Sequence, residues 1–370
     1  MERSAGILLA ISSLPSKYGI GSFSKEAYRF VDWLRSAHQS YWQILPMGPT
    51  GYGDSPYQSF STFAGNPYFI DLDTLVDQRL LTDSECSEMD WGEDDRYVEY
   101  SKIYNGRYSL LRKAYERWKM IDSMEFSLFM DENSDWIYDY SLFMAVKDSF
   151  GGIPWTEWPQ DIRNRQPEAV QQMQVKLADE IHFQQYMQYL FYTQWNALKS
   201  YANKNHIRII GDIPIYVAMD SADVWAHPEL FRLDEDRRPY EVAGCPPDGF
   251  SETGQLWGNP IYDWELNMQT GYSWWIARMR HSYKLYDVVR IDHFRGFDEY
   301  YAIPYGEETA ANGKWKKGPG MDLFRNIEKA LGKRDVIAED LGFVTDSVRK
   351  LVHDSGFPGM KVVEFAFDVR

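Results

Sequence analysis

Short apolar runs recur along the chain, each followed by Gly, Pro or a charged residue and separated from the next by stretches with helical spacing. The runs fall at residues 6–11, 41–46, 207–212, 288–292, 336–340 and 362–367, the last reading Val362-Val363-Glu364-Phe365-Ala366-Phe367. Near-continuous Val, Ile and Leu predicts strands buried on both faces, as in a parallel sheet. Between the first two runs Ser24 is a good N-cap, and Ala27, Phe30, Val31 and Leu34 recur on one helix face. Strand and helix therefore alternate, as in a βα repeat.

Six such strands, several ending on a charged residue and the first not followed by a glycine-rich phosphate loop, predict an α/β fold. A (β/α)8 TIM barrel with helical insertions fits them better than a doubly wound sheet. Residues 1–75 then hold barrel strands 1 and 2, residues 76–200 a helical insertion subdomain, and residues 201–370 strands 3 to 6. The insertion is far longer than a βα connection needs, and Tyr108, Leu111, Ala114, Tyr115 and Trp118 repeat at helical spacing within it. Residues 237–264, rich in Pro, Gly and aromatics just beyond the third strand, read as a long irregular lid loop. A closed barrel requires eight strands, so the seventh and eighth are expected beyond residue 370.

Composition narrows the partners. With 370 residues and 44% hydrophobic positions the chain can bury a sizeable core. A net charge of −16 argues against nucleic acid, whose phosphates an acidic surface repels. No apolar run approaches the ~18 residues of a membrane span. The Gly6–Ile11 run is too short for a signal peptide, so the expected location is cytoplasmic. Two cysteines, Cys86 and Cys245, cannot build a disulfide framework or a cysteine metal site. Aromatic residues make up 16% of the chain, an excess that suits either a tyrosine-rich core or surfaces gripping the apolar faces of sugar rings.

Barrel enzymes place their chemistry at the C-terminal ends of strands, which singles out Asp212, Asp292 and Glu339. Arg290 and Asp292 lie two apart on one strand, hence on the same side. A guanidinium there favours an ionised carboxylate able to attack carbon. The same spacing also serves a purely structural ion pair. Glu339, beside apolar walls, would hold its proton as a general acid must, with Asp340 facing outward or capping the next helix. Two carboxylates on adjacent strands match glycosidic chemistry. Mg²⁺ ligation by Asp212, Asp292 and Glu339 is the weaker alternative, since no phosphate loop or His cluster accompanies them.

The chain resembles the 4-α-glucanotransferases, or amylomaltases, of glycoside hydrolase family 77 in the α-amylase clan. The segments carrying the resemblance run nearly the whole length. They include Ser12-Ser13-Leu14-Pro15, Gly53-Asp54-Ser55-Pro56-Tyr57-Gln58, Gly211-Asp212-Ile213-Pro214, Gly254-Gln255-Leu256-Trp257-Gly258-Asn259-Pro260, Arg290-Ile291-Asp292-His293-Phe294-Arg295-Gly296 and Ala338-Glu339-Asp340-Leu341-Gly342. The resemblance implies Asp292 as nucleophile and Glu339 as general acid/base, with Arg290 holding Asp292 ionised and His293 in the binding site. It implies sugar contacts from Tyr57 and Asp212, and from Asp248, Phe250, Gln255 and Trp257 on a mobile covering loop. A third carboxylate, in a His-Asp pair after the seventh strand, is not supplied by any residue up to 370; Asp354 and Asp368 are not in that motif. Activity is thus expected of the full protein rather than of residues 1–370 alone.

The expected reaction is retaining transfer of α-1,4-glucan segments through a glycosyl-aspartate, with maltooligosaccharides and α-1,4-glucans as substrates. No metal or organic cofactor is required. An α-glucan hydrolase and a catalytically dead glucan-binding protein are the alternatives.

Overall fold

The computed structural model describes residues 3–51, 53–94, 96–249, 251–342 and 344–367. The chain divides into two compact units, Met1–Ile209 and Ile210–Arg370. Among the described residues no helix is long and apolar enough to cross a membrane.

In the first unit β1 (Gly6–Leu8) runs parallel to β2 (Tyr41–Gln43), with Gly6 opposite Tyr41. A Cβ on Gly6 would stand 2.6 Å from that of Tyr41, so the strands meet here only because residue 6 has no side chain. The expected helix is Lys25–Ser36: the Ser24 hydroxyl accepts the Glu26 N–H, and Ala27, Val31 and Leu34 are buried. Contrary to expectation β1 is not buried on both faces, for Leu8 is 56% exposed. The strand sits at a sheet edge among the described residues, where only one neighbour covers it.

Residues 76–200 are mostly helical, the main helices being Tyr100–Trp118, Met124–Glu132, Ile137–Ser149, Pro167–Lys176 and Ala178–Lys204. The last organises the unit's core. Its Phe191 and Trp195 rings lie 5.1 and 5.4 Å from Phe23, and its Tyr186 lies 4.5 Å from Trp118. Its glutamines stand in for a strand: Gln188 accepts the Gly65 N–H (2.7 Å) and donates to the Gly65 carbonyl (2.9 Å). Gln194 does the same for Asp71 at 2.6 and 3.2 Å, so a buried loop keeps its backbone groups paired. Much of the aromatic content is thereby core: Trp42, Trp155, Trp158, Trp195, Trp225 and Trp275 are all fully buried.

From the unit boundary onward come β3 (Arg208–Pro214), β4 (Glu241–Cys245), β5 (Gln255–Pro260), β6 (Val288–Asp292), β7 (Glu299–Pro304), β8 (Lys314–Lys317) and β9 (Val336–Ala338). β3, β6 and β9 pair in parallel, placing Asp212 opposite Arg290, Pro214 opposite Asp292 and Ile291 opposite Ala338. Helices Ser273–Leu285 and Met321–Leu331 lead into β6 and β9, the βα order that the apolar runs predict. Helix Met321–Leu331 buries Leu323, Phe324 and Ile327, and Phe324 stacks on Phe294 with centroids 5.1 Å apart.

Two expectations are corrected. Residues 362–367 do not form a sixth strand: Val363–Phe367 is a 3₁₀ turn, with Val363 67% and Phe367 79% exposed. No described strand pairs with it, and its backbone takes a short 3₁₀ turn instead. The architecture is accordingly α/β with a parallel sheet, and no closed barrel is formed by the described residues. Residues 237–264, expected to be irregular, contain β4 and β5 paired antiparallel, within a sheet of order β5-β4-β7-β8. Gly244 and Gly258 interrupt any apolar run in β4 and β5, and β8 is mostly lysine. Pairing in the folded chain, rather than local propensity, makes these strands.

Candidate active site

Register and alternation gather the charged groups. Arg290 and Asp292 share one face of β6, and β3 sets Asp212 beside Arg290. Arg290 Nη1 donates to Asp212 Oδ1 at 2.6 Å, Nη2 pairs with Asp292 Oδ1 at 2.9 Å, and Nε donates to the Met360 sulfur at 3.2 Å. The Asp212 side chain is 2% exposed and that of Arg290 11%. Burial by itself lowers a guanidinium pKa, yet the charges of Asp212 and Asp292 outweigh it and hold Arg290 above its ordinary value.

Glu339 follows β9 directly and extends the ladder: its N–H donates to the Ile291 carbonyl, and its carbonyl accepts the Phe294 N–H, both at 3.1 Å. Its carboxylate oxygens accept the His293 N–H (2.9 Å) and the Leu341 N–H (2.8 Å). Burial raises the Glu339 pKa and the Asp292 charge adds to this, while the two N–H donors and Arg290 offset only part. A carboxyl with a raised pKa beside another paired with a guanidinium is an arrangement that suits acid catalysis with nucleophilic attack. Asp340 does not face outward as expected: it accepts the Met360 N–H at 2.7 Å and lies 3.3 Å from Lys361 Nζ.

His293 takes a left-handed conformation (φ 54°) as the chain leaves β6. Its Nε2 is buried without a hydrogen-bond partner among the described residues. Burial, helped by the nearby Arg295 charge, pushes its pKa down to about 4, so the ring is neutral at pH 7. Trp257 of β5 meets that ring edge-on at 4.8 Å, and the Tyr216 ring lies 6.3 Å from Trp257 and 6.5 Å from His293. Gln255 Oε1 accepts the Trp257 indole N–H at 3.0 Å.

The second unit thus brings together Asp212, Arg290, Asp292, His293 and Glu339, with Trp257 against His293 and Gln255 beside it. Asp248 is exposed in the β4–β5 turn, its carboxylate accepting the Ser251 N–H at 2.9 Å. Phe250 lies outside the described residues. Tyr57 belongs to the first unit, where its N–H donates to the Ser55 hydroxyl at 3.3 Å. Among the described residues no group of three His, Cys, Asp or Glu side chains is placed to hold a metal ion.

Sequence reasoning missed the groups that hold β3 in place. Arg278 is fully buried and donates to the carbonyls of Pro214 and Ile215, while the Tyr262 hydroxyl also donates to Ile215 (3.0 Å). The Asn259 amide donates to the Val217 carbonyl at 2.8 Å. The available signal was an arginine on the apolar face of a helix, three residues after Trp275.

An α/β chain that gathers these groups beyond its parallel strands has the form of an enzyme. Residues 9–370 match the glycoside hydrolase family 77 sequence model, that of 4-alpha-glucanotransferase. The chain is 53% identical over 369 residues to a 4-alpha-glucanotransferase of Streptococcus pneumoniae, covering 99% of this chain and 73% of that protein. It is 48% identical over 372 residues to a 4-alpha-glucanotransferase of Thermus thermophilus, covering 100% and 73%. Among solved structures it matches the amylomaltase from Streptococcus agalactiae in complex with acarbose, with a TM-score of 0.97 at 43% identity over 99% of this chain and 74% of that one. The chain belongs to the 4-alpha-glucanotransferase family, and it is a transferase of glucan transglycosylation.

Proposed function

We propose that the chain carries out retaining transfer on α-1,4-glucans, with Asp292 as nucleophile and Glu339 as general acid/base. The carrying observation is Arg290 clasped between Asp212 and Asp292, one strand from a Glu339 carboxyl whose pKa is raised. Asp292 attacks the anomeric carbon; the glycosidic C–O bond breaks and the Glu339 proton passes to the leaving oxygen. Glu339 then takes the proton of an incoming 4-hydroxyl, whose oxygen displaces Asp292 and restores the α-linkage. Water must lose to that acceptor. The hairpin bearing Gln255 and Trp257 supports this by offering a sugar face where water would otherwise stand. The complex of a relative with acarbose supports an α-glucan substrate. In this reading the parallel strands belong to a (β/α)8 barrel, residues 76–200 are an insertion, and the hairpin at 237–264 is its lid.

The test is the natural full-length protein incubated with maltotriose, products being resolved by chain length, beside Asp292→Asn and Glu339→Gln. Glucose together with maltopentaose and longer chains is expected, falling at least about 100-fold in either variant. Glucose and maltose alone would make it a hydrolase, and unchanged maltotriose would favour a binding protein.

A further inference from the structure

Each nitrogen of the Arg290 guanidinium has its own acceptor, and the third differs in kind from the other two. Nη1 and Nη2 meet carboxylates, whereas Nε meets the Met360 thioether at 3.2 Å. A thioether is a weak, neutral acceptor. It can fix the tilt of the guanidinium plane without drawing charge away from Asp212 and Asp292, as a third carboxylate there would.

Met360 is itself held from behind. Its N–H donates to Asp340 Oδ1 at 2.7 Å, and the residues before it lie along β9, the Ala338 N–H donating to the Pro358 carbonyl at 2.9 Å and Gly359 bridging to Ala338. A Cβ on Gly359 would stand 2.5 Å from Asp340 Oδ2, so the turn reaches the carboxylate only because glycine precedes Met360. A line of contacts therefore runs from Asp340 through the Met360 backbone and sulfur to Arg290, and from Arg290 to Asp292.

We infer that Met360 is a positioning residue, its sulfur setting the orientation of the Arg290 guanidinium between Asp212 and Asp292 while Asp340 holds Met360 in place. The inference rests on the reading of Asp292 as nucleophile. A planar guanidinium that loses its Nε acceptor is free to turn about its stem, and a nucleophile displaced by a fraction of an ångström attacks more slowly while substrate binding is left nearly as it was.

The experiment measures kcat and KM for maltotriose disproportionation, with thermal midpoints, in the natural full-length protein. The variants are Met360→Leu, which keeps volume but no acceptor, Met360→Gln, whose amide oxygen can take the same N–H, Asp340→Ala, which removes the acceptor of the Met360 N–H, and Met360→Leu with Asp340→Ala. Met360→Leu is expected to lower kcat about tenfold with KM within about twofold, and Met360→Gln to keep at least about half of wild-type kcat. The double variant is expected to be no slower than Met360→Leu alone, because both changes cut one line of contacts. Equal loss in the Leu and Gln variants would mean packing alone and overturn the inference, as would wild-type kcat in Met360→Leu or fully additive losses. Should Met360→Leu fold poorly, Asp340→Ala against Met360→Gln decides: Asp340→Ala must lower kcat without raising KM, and unchanged kcat overturns the inference. Asp292→Asn runs alongside; if it still elongates maltotriose, the nucleophile assignment has failed, whatever Met360 does.

Discussion

At the scale of single residues, the site depends on what one side chain can do that its nearest substitute cannot. Arg290 bridges two carboxylates from separate nitrogens at 2.6 and 2.9 Å while its Nε reaches sulfur. A lysine ammonium is a point donor and cannot span all three. Arg290→Lys is therefore expected to lower kcat on maltotriose by about 100-fold, with Asp212 left as a buried carboxylate short of its partner. His293 makes a different prediction. Its folded pKa of about 4 lies below the ordinary 6.5, so between those values the unfolded chain binds a proton that the folded chain refuses. Its contribution to stability is full above pH 6.5 and is lost as pH falls towards 4. Urea midpoints at pH 7 and pH 5 should therefore differ less in His293→Gln than in the wild type. The sequence made Arg290, Asp292 and Glu339 legible because strand alternation and strand ends follow from local pattern. Arg278 and Met360 were not legible, because each acts on residues distant in the chain: Pro214 and Ile215 for one, Arg290 for the other.

At the scale of elements, the β4–β5 hairpin carries Gln255 and Trp257 to the side of His293. Its strands lie close because Gly244 has no side chain: a Cβ there would stand 2.1 Å from the Gln255 carbonyl oxygen and 2.5 Å from Ile303 Cδ1. The first of these atoms is backbone, so relief requires the strands to part. Gly244→Ala is expected to cost about 1–3 kcal/mol in urea unfolding and to raise KM, since the Trp257 face moves with β5. The runs at residues 207–212 and 288–292 announced β3 and β6, whose buried Val and Ile belong to a parallel sheet. The antiparallel strands were hidden by the glycines of the hairpin and the lysines of β8. The apolar run at 362–367 misled, because hydrophobicity makes a strand only where a neighbouring strand supplies the other half of the hydrogen bonds.

At the scale of the whole molecule, every proton and bond in the proposed cycle is accounted for by two carboxyl groups and the substrate hydroxyls. Addition of EDTA is accordingly expected to leave the disproportionation rate unchanged within about twofold, whereas an enzyme working through a divalent ion would lose most of its rate. The sequence by itself determined the α/β class and the helical stretch at 76–200, and it singled out the acids proposed to react. Each of these is written in periodicity, strand-end charge or an ordered set of motifs. Only the tertiary structure decided which groups those acids touch: the carboxylates about Arg290, the paired N–H donors on Glu339, the aromatic edge on His293 and the sulfur behind the guanidinium. Hydrogen bonds and burial depend on distance in space, and residues as far apart in the chain as Asp212, Arg290, Glu339 and Met360 are neighbours only once β3, β6 and β9 lie side by side.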